Sequence, residues 1–182
     1  MWCMLLLLRP LNGNNMKLLK LGLISLVILF LLATLMGTLL PSKVLVSRAV
    51  NINAPIDSVR TQLEDIRQWS NWVEGMNDPS VHIQSSVTAQ IGKSEVTIAE
   101  KNDSTVVSTW ITAKGKPQIS TMRIIYQPQQ GITIVQWQFE QSIGWLPWER
   151  LGSIMNDKIL GPMMEKNLDQ LKRLIEAETS SL

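Results

Sequence analysis

Leu21 to Leu40 reads LGLISLVILFLLATLMGTLL, twenty residues without a charge. A segment that is apolar on every side has no face to turn to water. It belongs in a core or in lipid. At 1.5 Å per residue, about twenty residues cross a hydrocarbon layer of roughly 30 Å. Residues 18–41 are therefore read as a transmembrane anchor. A cleaved signal peptide has an apolar region of about 7–15 residues ending in a small-x-small site. Around Ala33–Gly37 no good site of that kind stands out, which favours a retained anchor. Arg9, Lys17 and Lys20 precede the span, and Lys43 and Arg48 come after it. By the positive-inside rule this small excess puts the N-terminus in the cytoplasm and residues 43–182 in the periplasm or outside the cell. Residues 1–17 are a short cytoplasmic leader. The apolar run from Met4 to Leu8 is too short to span, and Met16 followed by KLLK looks like the start of an anchor. Translation is expected to begin at Met16.

The chain beyond the anchor has room for one domain of ordinary size. From Lys43 onward there are 14 Lys and Arg against 15 Asp and Glu, a net charge of −1. The alkaline pI comes from the first twenty residues, not from a basic face. That excludes a nucleic-acid surface, which needs clustered cations against phosphates. The one cysteine, Cys3, precedes the anchor, so the domain has no disulfide and no cysteine metal site.

Periodicity divides the domain in two. Lys43–Ile52 alternates Val44, Val46, Val50 and Ile52, with Arg48 alone out of pattern. Further strands are expected at Val81–Thr88, Ser94–Lys101, Ser104–Thr112, Ile119–Tyr126 and Ile132–Glu140, separated by turn residues such as Gly92 and Asn102-Asp103. Six strands at regular spacing imply a mainly antiparallel sheet. From about residue 147 to Ala177 the period changes to three and four: Leu151, Ile154, Ile159, Met163, Leu168, Leu171 and Ile175 mark an amphipathic helix. Gly161-Pro162 should kink or break it. Between the first and second strands, Asn53 is placed to cap a helix with Pro55 in its first turn and Ile56, Val59 and Leu63 on one face. Asp65 is placed to cap a second short helix carrying Trp69 and Trp72.

The series strand, Ala54-Pro55, helix, Asp65, Trp69 and Trp72 resembles the START-like superfamily, also called SRPBCC or polyketide cyclase/dehydrase-like. The closing stretch from Pro147-Trp148 through Gly161-Pro162 to Leu171-Lys172 is similar to the final helix of those proteins. The likeness covers about Lys43 to Glu178. It implies an α+β helix-grip fold, a curved antiparallel sheet closing around a long C-terminal helix, here preceded by one transmembrane helix. It also implies an apolar cavity between sheet and helix.

Strict alternation puts Thr133, Val135, Trp137 and Phe139 on one face of the last strand. Met122, Ile124 and Tyr126 form the matching face of the strand before it. On Ser104–Thr112 either Val106, Ser108 and Trp110 or Val107, Thr109 and Ile111 face the helix; periodicity does not choose. Met155, Met163 and Met164 come from the helix. These side chains make a plain core or, as the resemblance implies, line a cavity. The cavity candidates are Trp69, Trp72, Trp110, Met122, Arg123, Ile124, Tyr126, Thr133, Val135, Trp137, Met155, Met163 and Met164. Thr133 and Arg123 are placed to orient a headgroup.

Catalytic motifs are few. His82 is the one histidine and reads as a surface residue; a catalytic zinc site needs about three protein ligands. Neither GxGxxG nor GxxxxGK[ST] occurs, and no serine lies in a nucleophile-elbow motif. Glu140 and Glu149 are placed to pair with Arg123 or Arg150. No cofactor and no metal are expected. The reading is a bilayer-anchored binder of an apolar or amphipathic, lipid-like small molecule, more a carrier than an enzyme. Two alternatives stay open. One is a cyclase or dehydratase of the same superfamily, which needs an acid–base pair inside the cavity. The other is a protein-interaction module with exposed Trp69, Trp72, Trp145 and Trp148.

Overall fold

The computed structural model describes residues 13–39, 42–112, 117–144, 146, 149 and 155–180. In chain order these form α1 (Gly13–Leu39), β1 (Lys43–Ile52), α2 (Ile56–Leu63), a 3-10 helix (Ile66–Asn71), β2 (Val81–Ile83), β3 (Thr88–Ile91), β4 (Ser94–Asn102), β5 (Thr105–Ile111), β6 (Pro117–Gln127), β7 (Ile132–Ser142) and α3 (Asn156–Ser180). Within α1, Met16–Gly37 is long and apolar enough to cross a bilayer, and most of its side chains are solvent-exposed. The expected leader lies largely on residues 1–12, outside those described.

The strands form one antiparallel sheet in the order β1-β7-β6-β5-β4-β3-β2. The first strand thus pairs with the last, and each remaining strand pairs with its neighbour in sequence. A register shift between Ile98 and Glu100 bends β4, as a bulge does. Seven strands stand where six were expected, because Val81–Thr88 is not one strand. Ser85 interrupts it: its hydroxyl accepts from the Val87 and Thr88 amides at 3.2 and 3.0 Å. Such a side-chain turn competes with the ladder for the backbone.

Register sorts the side chains into transverse rows on the inner face. One row holds Val50, Val135 and Ile124; the next Arg48, Trp137, Met122 and Val106; the next Val46, Phe139, Ser120, Ser108 and Ile98; the last Val44, Gln141, Gln118, Trp110 and Val96. Of the two faces open for β5, the one with Val106, Ser108 and Trp110 points inward. α3 lies on this face and buries Met164, Leu168, Leu171 and Ile175 in the same core. Their spacing of three and four is the stripe that alternation in the sheet requires of a partner.

Three local expectations are corrected. Pro55, not Asn53, takes the N-cap position of α2, with no side-chain cap. Asn53 instead donates its backbone and side-chain amides to Glu176 on α3 at 2.9 and 2.8 Å. Glu140 pairs with Lys43 at 2.6 Å rather than with Arg123. Of the kink or break expected at Gly161-Pro162, the break is absent: both residues lie in the interior of α3. Pro162 is on the exposed side of the helix, where water can reach the carbonyl that lost its donor.

Gly161 has its own reason. A Cβ there would come within 2.2 Å of the Arg48 guanidinium. Arg48, the odd residue in the alternation of β1, crosses α3 at that point. It donates to Glu165 at 2.6 Å and to Asp157 at 3.0 Å. Asp157, Gly161 and Glu165 are four apart and share a helix face. One cation therefore fastens the first turns of α3 to the inner face of the sheet.

Candidate functional site

Five aromatic side chains form a closed ring inside the grip. Trp69 meets Trp72 at 6.2 Å between centroids, Trp72 meets Trp137 at 5.8 Å, Trp137 meets Phe139 at 5.6 Å, Phe139 meets Trp110 at 5.8 Å, and Trp110 stacks on Trp69 at 6.5 Å. All lie in the range of roughly 4.5–7 Å favoured by aromatic pairs. Each indole N–H finds an acceptor. Trp69 and Trp72 donate to the Leu63 and Gln62 carbonyls at 3.1 and 3.2 Å. These belong to the last turn of α2, whose carbonyls have no helical partner. Trp110 and Trp137 donate to the Ser108 and Ser120 hydroxyls at 3.2 and 2.8 Å. Those two small, buried serines leave inner-face space that the indoles occupy.

Beside this ring lies a partly enclosed, mostly apolar cavity of ≈ 240 Å³. Trp110, Trp137, Phe139 and Gln118 form its sheet wall; Leu160, Met163 and Asn167 its helix wall; Val73 to Met76 and Ile91 its rim. Two wider depressions, at the Tyr126–Gln130 turn and between Ser70–Asn77 and α3, are more open and more polar.

Asn167 is fully buried in α3. Its Oδ1 accepts the Glu74 amide at 3.0 Å, while its Nδ2 has no partner. A buried donor left unmade costs about 1–3 kcal/mol. Asn167 is thus one of the few polar residues against an apolar lining, and it holds a buried amide donor without a partner. Glu74, half exposed, pairs with Lys166 at 2.6 Å and ties the rim to α3 a second time. The rim can turn back so sharply because Gly75 has φ +84°, a conformation that costs other residues energy.

Of the expected cavity residues, Trp110, Trp137 and Met163 line this space. Trp69, Trp72, Met122, Ile124, Thr133, Val135 and Met164 are buried in the core around it. Thr133 is taken up by its bond to the Ala54 carbonyl at 2.7 Å. Arg123 is exposed, and its parity sets it on the outer face between inward Met122 and Ile124. It cannot orient a headgroup from there. Tyr126 shares the inner parity but is exposed at the far end of the sheet, and Met155 is half exposed ahead of α3. Trp69 and Trp72 are 1% exposed, which removes them as anchors for a protein partner. Trp145 and Trp148 lie outside the described residues. Phe139, inward by alternation but not among the cavity candidates, forms part of the wall. Gln118 and Asn167 were missed, although Gln118 has the parity of Met122 and Asn167 follows Met163 by four.

Asp65 caps the 3-10 helix through the Arg67 amide at 2.9 Å. The Arg67 guanidinium, 2.5 Å away, holds its carboxyl below the usual range, against the opposing effect of burial. His82 is exposed. No group of three or more His, Cys, Asp and Glu that could hold a metal occurs among the described residues.

No family model and no curated protein matches the chain. Solved structures do. A protein from Nitrosospira multiformis superposes with a TM-score of 0.57 at 10% identity, covering 75% of this chain and 99% of its own. A START superfamily protein from Mycobacterium smegmatis gives 0.55 at 13% identity, covering 73% and 97%. The di-domain ARO/CYC BexL from the BE-7585A biosynthetic pathway gives 0.53 at 12% identity, covering 72% of this chain and 50% of that one. Sheet order, closing helix and these neighbours agree: the chain has the START-like helix-grip fold shared with polyketide cyclase-like proteins.

Proposed function

We propose that this domain is a bilayer-anchored carrier of a small, mainly apolar molecule that bears one hydrogen-bond acceptor. The observation that carries the reading is the partly enclosed cavity of ≈ 240 Å³ that Asn167, with its unpartnered Nδ2, helps to line. Apolar lining with a few convergent polar groups is the usual composition of a ligand pocket. The volume falls just below the lower bound of about 300 Å³ common for such pockets. It suits a single acyl chain or a small ring system, not a two-chain lipid. Burial at roughly 25 cal/mol per Å² supplies the affinity. An acceptor on the ligand, a carbonyl or carboxylate oxygen, supplies the bond that Asn167 lacks. α1 keeps the domain at a membrane, where such molecules partition, with the N-terminus on the cytoplasmic side.

The test uses the full-length protein in detergent micelles. Solvent extraction followed by mass spectrometry should release a single-chain or small-ring compound. A fluorescent fatty acid should bind and quench the indoles lining the cavity. Asn167→Leu should weaken the fatty acid about fivefold or more, since an unmade bond costs about 1–3 kcal/mol. An analogue of the probe without the acceptor should bind both proteins equally. A protein that releases nothing and takes up neither probe is not a carrier.

A further inference from the structure

The rows of the sheet place the cavity at one end of the domain, and the chain leaves the membrane at that same end. Gly37 closes the candidate span. Six peptide steps separate it from Lys43, so the start of β1 lies within roughly 20 Å of it whatever the path between. Val44 stands in the row of Gln141, Gln118 and Trp110, and Val46 in the row of Phe139. The sheet wall of the cavity is therefore level with Val44 to Arg48 of β1, within about 17 Å of Lys43 along the strand. α3 begins over this end as well, fastened to Arg48.

The exposed apolar surface has the same bias. Outside α1, nine large apolar residues are exposed among the described residues, and six belong to this end: Leu45, Ile111, Ile119, Met155, Ile159 and Met163. Ile159 is the most exposed of the six at 67%, and it follows Met155 by four and precedes Met163 by four. Met163 also lines the cavity. The apolar stripe on the first turns of α3 thus runs to the cavity wall.

From this placement we infer that the first turns of α3 rest in the interface of the bilayer that α1 spans, so that the cavity opens toward lipid. The inference rests on the anchored reading of α1. Its occupant is lipid rather than a protein because the chain's own tether sets that end of the domain within reach of the headgroups. A helix face of this kind binds by laying its apolar side about 5–10 Å into the headgroup and acyl boundary. A ligand entering there passes from lipid to cavity without crossing water.

The experiment uses the full-length chain with Cys3→Ser, carrying one cysteine at position 159 or, as the control, at position 129 in the opposite turn. Each is labelled with an environment-sensitive fluorophore and reconstituted in phosphatidylcholine–phosphatidylglycerol vesicles containing doxyl lipids. The label at 159 should be blue-shifted and quenched at least threefold more than the label at 129. Ile159→Asp should slow transfer of a fluorescent fatty acid from vesicles at least fivefold while leaving its affinity in micelles unchanged. A label at 159 that reads water as the one at 129 does overturns the inference, as does a chain that leaves the vesicles in a carbonate wash. Loss of fatty acid binding in micelles would refute the carrier instead, and the label at 159 would still decide the docking.

Discussion

The two ends of the helix grip are built differently from the same materials. At the end where α2 closes the sheet, Ile52, Val59, Leu63, Ile66, Leu171 and Ile175 are fully buried in one core with Trp69 and Trp72. At the anchor end, Trp110 is only half buried, Gln118 and Asn167 bring polar atoms inward, and the first turns of α3 leave a cavity. The aromatic ring is the boundary. The contrast shows how a domain can hold a hole without losing its fold. Burial concentrated at one end stabilises the whole, and the other end keeps its room because a guanidinium and a loop hold the helix there, not packing.

Truncation gives the largest expected difference. Trp72→Ala should destabilise the protein by about 3–5 kcal/mol, measured by chemical denaturation of the full-length chain in detergent. Trp110→Ala, on the half-buried side of the ring, should cost less than half as much. Equal losses would mean that the two ends are packed alike.

Overpacking should have opposite signs at the two ends. Val59→Phe adds volume where none is free and should cost about 1–3 kcal/mol. Leu160→Phe adds it to the cavity wall and should gain about 0.5–2 kcal/mol while excluding the fatty acid probe. Lower stability in both variants would make the cavity too rigid to accept a side chain, and so too rigid for most guests.

The clamp on α3 can be separated from helix propensity. Ala exceeds Gly in a helix by about 1 kcal/mol, yet Gly161→Ala places a Cβ against the Arg48 guanidinium. The substitution should therefore destabilise the protein when Arg48 is present and stabilise it in an Arg48→Ala background. The two melting shifts read against each other test whether Arg48, rather than α3 itself, sets the helix position.

The fold was largely legible in the sequence, and the site much less so. Period two against period three to four separates sheet from helix, because burial of one face demands it. Asp65 could be placed as a cap because a carboxylate satisfies a free amide there. Ser85 was not legible as a strand breaker, since a hydroxyl acts on the backbone only once the turn is formed. The cavity residues were harder still. Trp69 and Trp110 are alike in the sequence, and only their position along the grip makes one a core residue and the other a wall. Asn167 sat in plain view on an apolar helix stripe, where a polar residue is the signal to pursue. Arg123 stands out by its charge, but its parity places it with the outward side chains of β6.

The smallest effect belongs to the packed end, at the cap of the 3-10 helix that carries Trp69. Asp65 is held in its charged form by Arg67, so its carboxyl lies below the ordinary value, about 3.9 for an unfolded chain. A depressed carboxyl contributes stability that is fully present above the unfolded value and is lost as the pH falls through the folded one. Asp65→Asn keeps an acceptor for the Arg67 amide, since Asn caps as well as Asp, but removes the charge. The wild-type protein should therefore be slightly more stable than the variant at pH 7, by less than any substitution above. The gap should close only as the pH drops below about 4. A gap that stays constant down to about pH 2.5, well below the unfolded value, would assign the difference to cap geometry and leave the ion pair with no part in holding Trp69 in place.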